Sequence, residues 1–147
     1  HNFYPRPETG LDEEMLLDVT RNLQNAGLKV QAFIPGDIQK RGPIFEGLPT
    51  LEAHRNALPS AAFVDLALRF GMDDIFLADP GLSDTEQQRI ETFCKEGIIS
   101  VPAGVRNPLR SGVHLPGGLP QVADPLHRVP HLLLHRHACH SLQLHLP

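Results

Sequence analysis

The sequence predicts an α/β fold with parallel strands, and three observations carry that expectation. Stretches with helical periodicity alternate with short apolar runs along residues 12–101. The first two apolar runs end in aspartate-bearing turns, Pro35-Gly36-Asp37 and Asp79-Pro80-Gly81. Each long helical stretch closes on a glycine, Gly27, Gly71 or Gly97, suited to a left-handed cap. The resulting order is loop, helix, strand, helices, strand, helix, strand.

The chain opens on His1-Asn2-Phe3-Tyr4-Pro5-Arg6-Pro7-Glu8-Thr9-Gly10-Leu11. Two prolines stiffen this segment and Gly10 permits a sharp turn. A stiff loop dense in hydrogen-bonding groups suits a ligand-facing role; the alternative is a polar turn that caps the next helix. A first helix is expected over residues 12–26, with acidic residues in its first turn and Leu16, Val19, Leu23 and Ala26 on one face. Val30-Gln31-Ala32-Phe33-Ile34 reads as a buried strand. After a polar loop, Thr50 is expected to N-cap a short helix over 51–56. A further helix is expected over 60–70, with Ala62, Phe63, Leu66, Ala67 and Phe70 inward. Asp74-Ile75-Phe76-Leu77-Ala78 is the next strand. Ser83 and Glu86 form a capping box for a helix running to residue 96, with Ile90, Phe93 and Cys94 inward. Ile98-Ile99-Ser100-Val101 reads as a last strand.

At 147 residues the chain has the size of one domain, but it begins on His1 in mid-pattern and reads as a fragment. Residues 1–103 hold every Lys and Glu; residues 104–147 hold Asp124 as their sole acidic residue and are rich in Pro, Leu, Arg and His. That tail has the composition a shifted reading frame of GC-rich DNA produces. Residues 1–96 are therefore expected to form the α/β portion, 97–103 a linker or the start of a second domain, and 104–147 a separate tail. The net charge of -4 is interspersed, which argues against a nucleic-acid partner and a polybasic membrane anchor. No signal-peptide pattern or bilayer-length apolar run is present. Cys94 and Cys139 have no framework spacing, and a reducing, cytoplasmic setting is expected. His135, His137, Cys139 and His140 lack zinc-site spacing, and no motif implies a cofactor.

Three polar clusters stand where parallel strands would end: the opening loop, Gly36-Asp37 and Ala78-Asp79-Pro80. They would converge at one mouth, as in (β/α)8 barrels or at the switch point of an open doubly wound sheet.

The opening loop, then Ala32-Phe33-Ile34-Pro35-Gly36-Asp37, then Arg41-Gly42-Pro43 and Glu46-Gly47-Leu48-Pro49-Thr50-Leu51-Glu52-Ala53-His54-Arg55, resemble the bacterial 6-phospho-N-acetylmuramidases. That family was long catalogued as outer surface proteins or a domain of unknown function. The resemblance covers about residues 1–103, with the blocks in the family's order and spacing. It implies the last three β/α units of a TIM barrel, beginning at the end of the sixth strand. It further implies a glycosidase acting on a 6-phosphorylated muramyl-glucosamine disaccharide in cell-wall recycling. After Ala103 the sequence departs from the family, whose second domain is smaller and β-rich.

Glycoside hydrolysis generally uses two carboxyl groups about 5–10 Å apart. The candidates in the matched region are Glu8, Asp37 and Asp79. Glu8 and Asp37 are taken as the catalytic pair or as substrate-positioning groups, and Asp79 as substrate-binding. Each also has a plainer role open to it: Glu8 as a loop brace or partner of Arg6, Asp37 and Asp79 as turn residues accepting backbone N–H bonds. A sugar phosphate calls for guanidinium donors, so Arg6 and Arg41 are expected ligand contacts, with Lys40 and Arg55 as neighbours. Arg55 could instead face solvent. Tyr4 could stack on a sugar ring and Asn2 bind a hydroxyl. His54 is expected to be a structural hydrogen-bonder. Two other functions stay open: another phosphosugar barrel enzyme, or a non-catalytic carbohydrate-binding or surface protein. A Schiff-base aldolase would want a lysine within a strand, whereas Lys29 and Lys40 only flank one.

Overall fold

A computed structural model of the chain describes residues 6–101. Asn2, Tyr4 and the tail 104–147 lie outside the described residues. The described elements are helix α1 (Glu13–Asn25), strand β1 (Gln31–Ile34), a 3-10 turn (Glu52–His54), helix α2 (Pro59–Leu68), strand β2 (Asp74–Leu77) and helix α3 (Asp84–Glu96). This is an α/β arrangement with a parallel two-stranded sheet.

β1 and β2 run parallel in register, Gln31 opposite Asp74 through Ile34 opposite Leu77. The ladder extends beyond the strands at both ends. Ala78 N–H donates to Ile34 O at 3.0 Å, and Val30 O accepts from Asp73 N–H at 3.0 Å. Asp73 Oδ2 accepts from Val30 N–H at 2.8 Å. Side chains alternate across a strand. Ala32, Ile34 and Ile75 bury completely on the helical side. Phe33 and Phe76 are half-buried, with ring centroids 6.0 Å apart.

The core lies between this sheet and the helices. On α2, Ala62, Phe63, Leu66 and Ala67 are buried, and Phe70 follows just beyond the helix end. Phe63 meets Phe93 of α3 edge-on at 6.2 Å. Ile90 is fully buried, and Cys94 packs half-buried against the same cluster. These are the inward positions that the periodicity predicts for both helices.

Four expectations are corrected. The buried stripe of α1 is Leu16 and Thr20, whereas Val19 is 42% and Leu23 37% exposed. An apolar stripe buries only where a neighbour meets it, and α1 meets the core through Leu16 and Leu17. Asp12 is the cap of α1, its side chain accepting from Met15 N–H at 2.8 Å. The helix over 51–56 is a single 3-10 turn, and Thr50 caps nothing: its hydroxyl accepts from Phe33 N–H at 2.7 Å. Residues 98–101 form no strand, because none of the described residues pairs with them. Ile98 and Ile99 instead line an apolar cleft of about 330 Å³ beside α2 and α3, together with Leu58, Val64 and Phe93.

The capping box of α3 is half realised. Ser83 Oγ accepts from Glu86 N–H at 3.2 Å, as predicted. Glu86 does not reach back to Ser83. Its buried carboxylate turns to the start of α2 and accepts from Ser60 N–H at 2.8 Å, with Arg89 on its other oxygen. The tertiary partner satisfies a helix-end amide that α2, which begins on Leu58-Pro59, has no side chain of its own to cap.

Candidate functional site

Loops 35–49 and 78–83 follow the C-terminal ends of the two strands, and the opening segment 6–11 is joined to the first of them through Arg55. Asp37 and Asp79 tie the two strand-end loops together by accepting from backbone amides, and Glu52 with Arg55 ties the opening segment to residues 46 and 47.

Asp79, 3% exposed, stands at the centre. Its Oδ2 accepts from Gly36 N–H at 2.9 Å and its Oδ1 from Arg41 N–H at 2.8 Å. One carboxylate after β2 thereby sets both turns after β1. The approach leaves no room for a side chain at Gly36, where a Cβ would lie 2.2 Å from Gly81 O. Gly81 N–H in turn donates to Gln39 O at 3.1 Å. Asp37 occupies both oxygens at the start of α3, taking Ser83 N–H at 2.8 Å and Ser83 Oγ–H at 2.6 Å. It supplies the amide acceptor that Glu86 would have provided. Asp37 and Asp79 thus serve as acceptors in turns, one of the roles the sequence leaves open to each.

The opening loop is held differently. Leu11 pairs with Leu51 in a parallel bridge: Leu11 N–H donates to Thr50 O at 2.8 Å and Glu52 N–H to Leu11 O at 2.9 Å. Thr50 also holds β1, with its N–H on Phe33 O at 2.9 Å. Glu52 then accepts from Glu8 N–H on Oε1 at 3.0 Å and from Gly10 N–H on Oε2 at 2.8 Å. Arg55 grips the same carboxylate in a fork, Nε to Oε1 at 2.5 Å and Nη2 to Oε2 at 2.6 Å. Its Nη1 donates to the carbonyls of Glu46 at 3.1 Å and Gly47 at 2.8 Å. Arg55 is 6% exposed, so of the two positions the sequence allows it, the structure selects the buried one. The guanidinium beside Glu52 holds that carboxyl down to about 2, helped by the Glu8 and Gly10 amides and opposed by burial.

The candidate residues divide by what is left free. Glu8 is exposed and its carboxylate takes no hydrogen bond among the described residues. Its backbone stands at φ 62, a left-handed conformation unfavourable for a residue with a Cβ. Arg41 is exposed; its Nε donates to Ala78 O at 2.9 Å, and its two terminal nitrogens have no partner among the described residues. Arg6 is exposed, and its carbonyl accepts from Thr9 Oγ1 at 2.8 Å. Phe45 shares the loop with Arg41, is 60% exposed and also has φ 62. His54 Nε2 pairs with Asp65 Oδ2 at 2.8 Å, a structural bond as expected. The sequence reading passed over Glu52 as a chemical group. Its one available signal was the spacing Glu52-x-x-Arg55, which sets both side chains on one face of a single helical turn.

Among the described residues no group of three or more His, Cys, Asp or Glu could hold a metal ion, and no helix is long and apolar enough to cross a membrane. The apolar cleft beside α2 and α3 contains none of the candidate residues.

Comparison with known proteins gives one family and two solved relatives. The family described as "6-phospho-N-acetylmuramidase, N-terminal" matches residues 1–92. A conserved protein of unknown function from a locus in Enterococcus faecalis is 41% identical, with TM-score 0.60 over 65% of this chain and 27% of its own. An uncharacterized B. cereus protein is 30% identical, with TM-score 0.56 over 61% of this chain and 26% of its own. The chain therefore spans about a quarter of the length of these relatives. No curated protein matches it. A match over 92 residues, which takes in all three loops, makes this chain a member of the 6-phospho-N-acetylmuramidase N-terminal family.

Proposed function

We propose that the chain is part of a glycoside hydrolase that cleaves the glycosidic bond of a 6-phosphorylated N-acetylmuramyl-N-acetylglucosamine in cell-wall recycling in the cytoplasm. In this reading, residues 6–96 form the last units of a TIM barrel and the three loops are part of its mouth. The observation that carries the reading is the division of labour among the charged groups. Asp37 and Asp79 have both oxygens engaged, while Glu8 and the terminal nitrogens of Arg41, in the adjoining loops, are exposed and have no hydrogen-bond partner among the described residues.

Glu8 is then the reacting carboxyl, as proton donor or nucleophile, with a second carboxyl about 5–10 Å away. The reading gives Asp37 and Asp79 positioning roles and takes the second carboxyl from the other strands of the parent barrel. Arg41 binds the phosphate through its free edge, and Arg6 stands beside it in the opening loop. Asn2 and Tyr4, outside the described residues, keep their proposed contacts to sugar hydroxyl and ring.

The test uses a full-length enzyme of the family, substituted at the positions matching Glu8 and Arg41. Glu8→Gln is expected to lower kcat by about 100-fold or more, the loss of a general acid or base. Arg41→Ala is expected to raise KM for the phosphorylated disaccharide and leave its unphosphorylated counterpart unaffected. Wild-type rates in both variants would sink the assignment.

A further inference from the structure

Glu52 and Arg55 contribute nothing to binding or reaction in the proposed function, yet among the described residues they form the most connected polar cluster at this end of the molecule. Arg55 reaches three segments. It takes Glu52 in a fork, it donates to the Glu46 and Gly47 carbonyls, and its Nη2 lies 3.5 Å from Thr9 Oγ1. Glu52 passes that anchoring to the amides of Glu8 and Gly10, the residues either side of Thr9. Glu8 is the residue at φ 62. A non-glycine residue stays in that region when surrounding contacts over-determine it, and such residues concentrate at functional sites. Here the two amide bonds to one carboxylate supply the contacts. Gly10 approaches so closely that a Cβ there would lie 2.6 Å from Glu52 N. The same guanidinium fixes residues 46 and 47, which follow Arg41 and Phe45 in the neighbouring loop.

We infer that Glu52 and Arg55 are positioning residues: they hold the Glu8 backbone in its left-handed conformation, so that its carboxylate projects from the rim in one direction, and they register that loop against the loop carrying Arg41. The inference rests on the reading of Glu8 as the reacting carboxyl. A carboxylate is required at position 52 because two backbone donors point at it. An ion pair of the opposite sense would keep the charges and lose the acceptors.

The experiment uses a full-length enzyme of the family that carries this Glu-x-x-Arg pair, with Glu52→Gln, Arg55→Lys, the exchanged pair Glu52→Arg with Arg55→Glu, and Glu8→Gln made at the matching positions. Kinetics are measured with the phosphorylated disaccharide, alongside Tm. Glu52→Gln sets an amide nitrogen against one of the two donors, and kcat is expected to fall about 10–100-fold, as for other displaced reacting groups, with KM changed less than about threefold. Arg55→Lys removes the fork and is expected to show the same split, even if the exchanged pair fails to fold. A folded exchanged pair is expected to stay impaired. Recovery of wild-type kcat in the exchanged pair would overturn the inference. So would a lowered Tm in Glu52→Gln with kcat intact. If Glu8→Gln is inactive while Glu52→Gln and Arg55→Lys keep wild-type kcat, the inference alone falls. If Glu8→Gln keeps wild-type kcat, the functional reading falls and this inference with it.

Discussion

The helical side of the sheet and the loop end are stabilised by different physics. On the helical side, Ile34, Ala62, Phe63, Leu66, Ile75 and Ile90 are 0% exposed and held by apolar packing. Packing is spread over many contacts, so a volume-conserving change costs little there while a cavity costs much. At the loop end, a few carboxylates each accept from two donors on neighbouring segments. That hold is directional. It fails by one substitution or one proton, and it orients groups more sharply than packing does.

The largest effect should come from the packed side. Phe63→Ala is expected to lower unfolding free energy by about 3–5 kcal/mol, read by denaturant titration. A loss under about 1 kcal/mol would mean the core re-collapses and the contrast is overstated.

Next in size is the centre of the loop end. Asp79→Ala leaves the Gly36 and Arg41 amides without their acceptor, for an expected loss of about 1–3 kcal/mol. Asp79→Asn keeps one acceptor oxygen and should recover part of the loss. Equal losses in both variants would show that the acceptor count is not what matters.

A proton should do at Glu52 what a mutation does at Asp79. The folded carboxyl lies at about 2 against an ordinary 4.5, so it contributes stability that is fully present above pH 4.5 and is lost as pH falls through about 2. Exchange of the Glu8 and Gly10 amides, followed by NMR from pH 5 downward, is expected to show their protection failing in that window. Protection lost near pH 4.5 would place the carboxyl in an ordinary environment.

The smallest effect tests a local cap with no tertiary partner. Asp12→Ala is expected to cost about 1 kcal/mol, with loss of helicity in the first turn of α1.

Much of the fold is legible in the sequence because much of it is local. The spacing of Ala62, Phe63, Leu66 and Ala67 declares the buried face of α2, and Ser83 with Glu86 declares the start of α3. Gly97 at φ 72 ends α3 as a glycine after a helix suggests. The aspartates after the strands are visible as turn residues, but their partners are not. Asp79 reaches residues 36 and 41, and Asp37 reaches 83, across separations that no local pattern encodes. The run 98–101 shows the converse failure. Its apolar, β-branched composition suits a strand, but strand formation depends on a neighbour.

By itself, the sequence determined the three long helices, the two paired strands and which loops carry the charged groups. Those properties follow from backbone sterics, side-chain periodicity and capping within a few residues. Only the tertiary structure decided which charged groups are engaged and which stand free. Glu52 and Arg55 became a clamp, Asp37 and Asp79 became braces, and Glu8 and the edge of Arg41 were left exposed. The reason is that a carboxylate's role depends on which donors reach it: the parallel pairing of β1 with β2 brings donors to Asp37 and Asp79, and the bridge of Leu11 with Leu51 brings the opening-loop amides to Glu52.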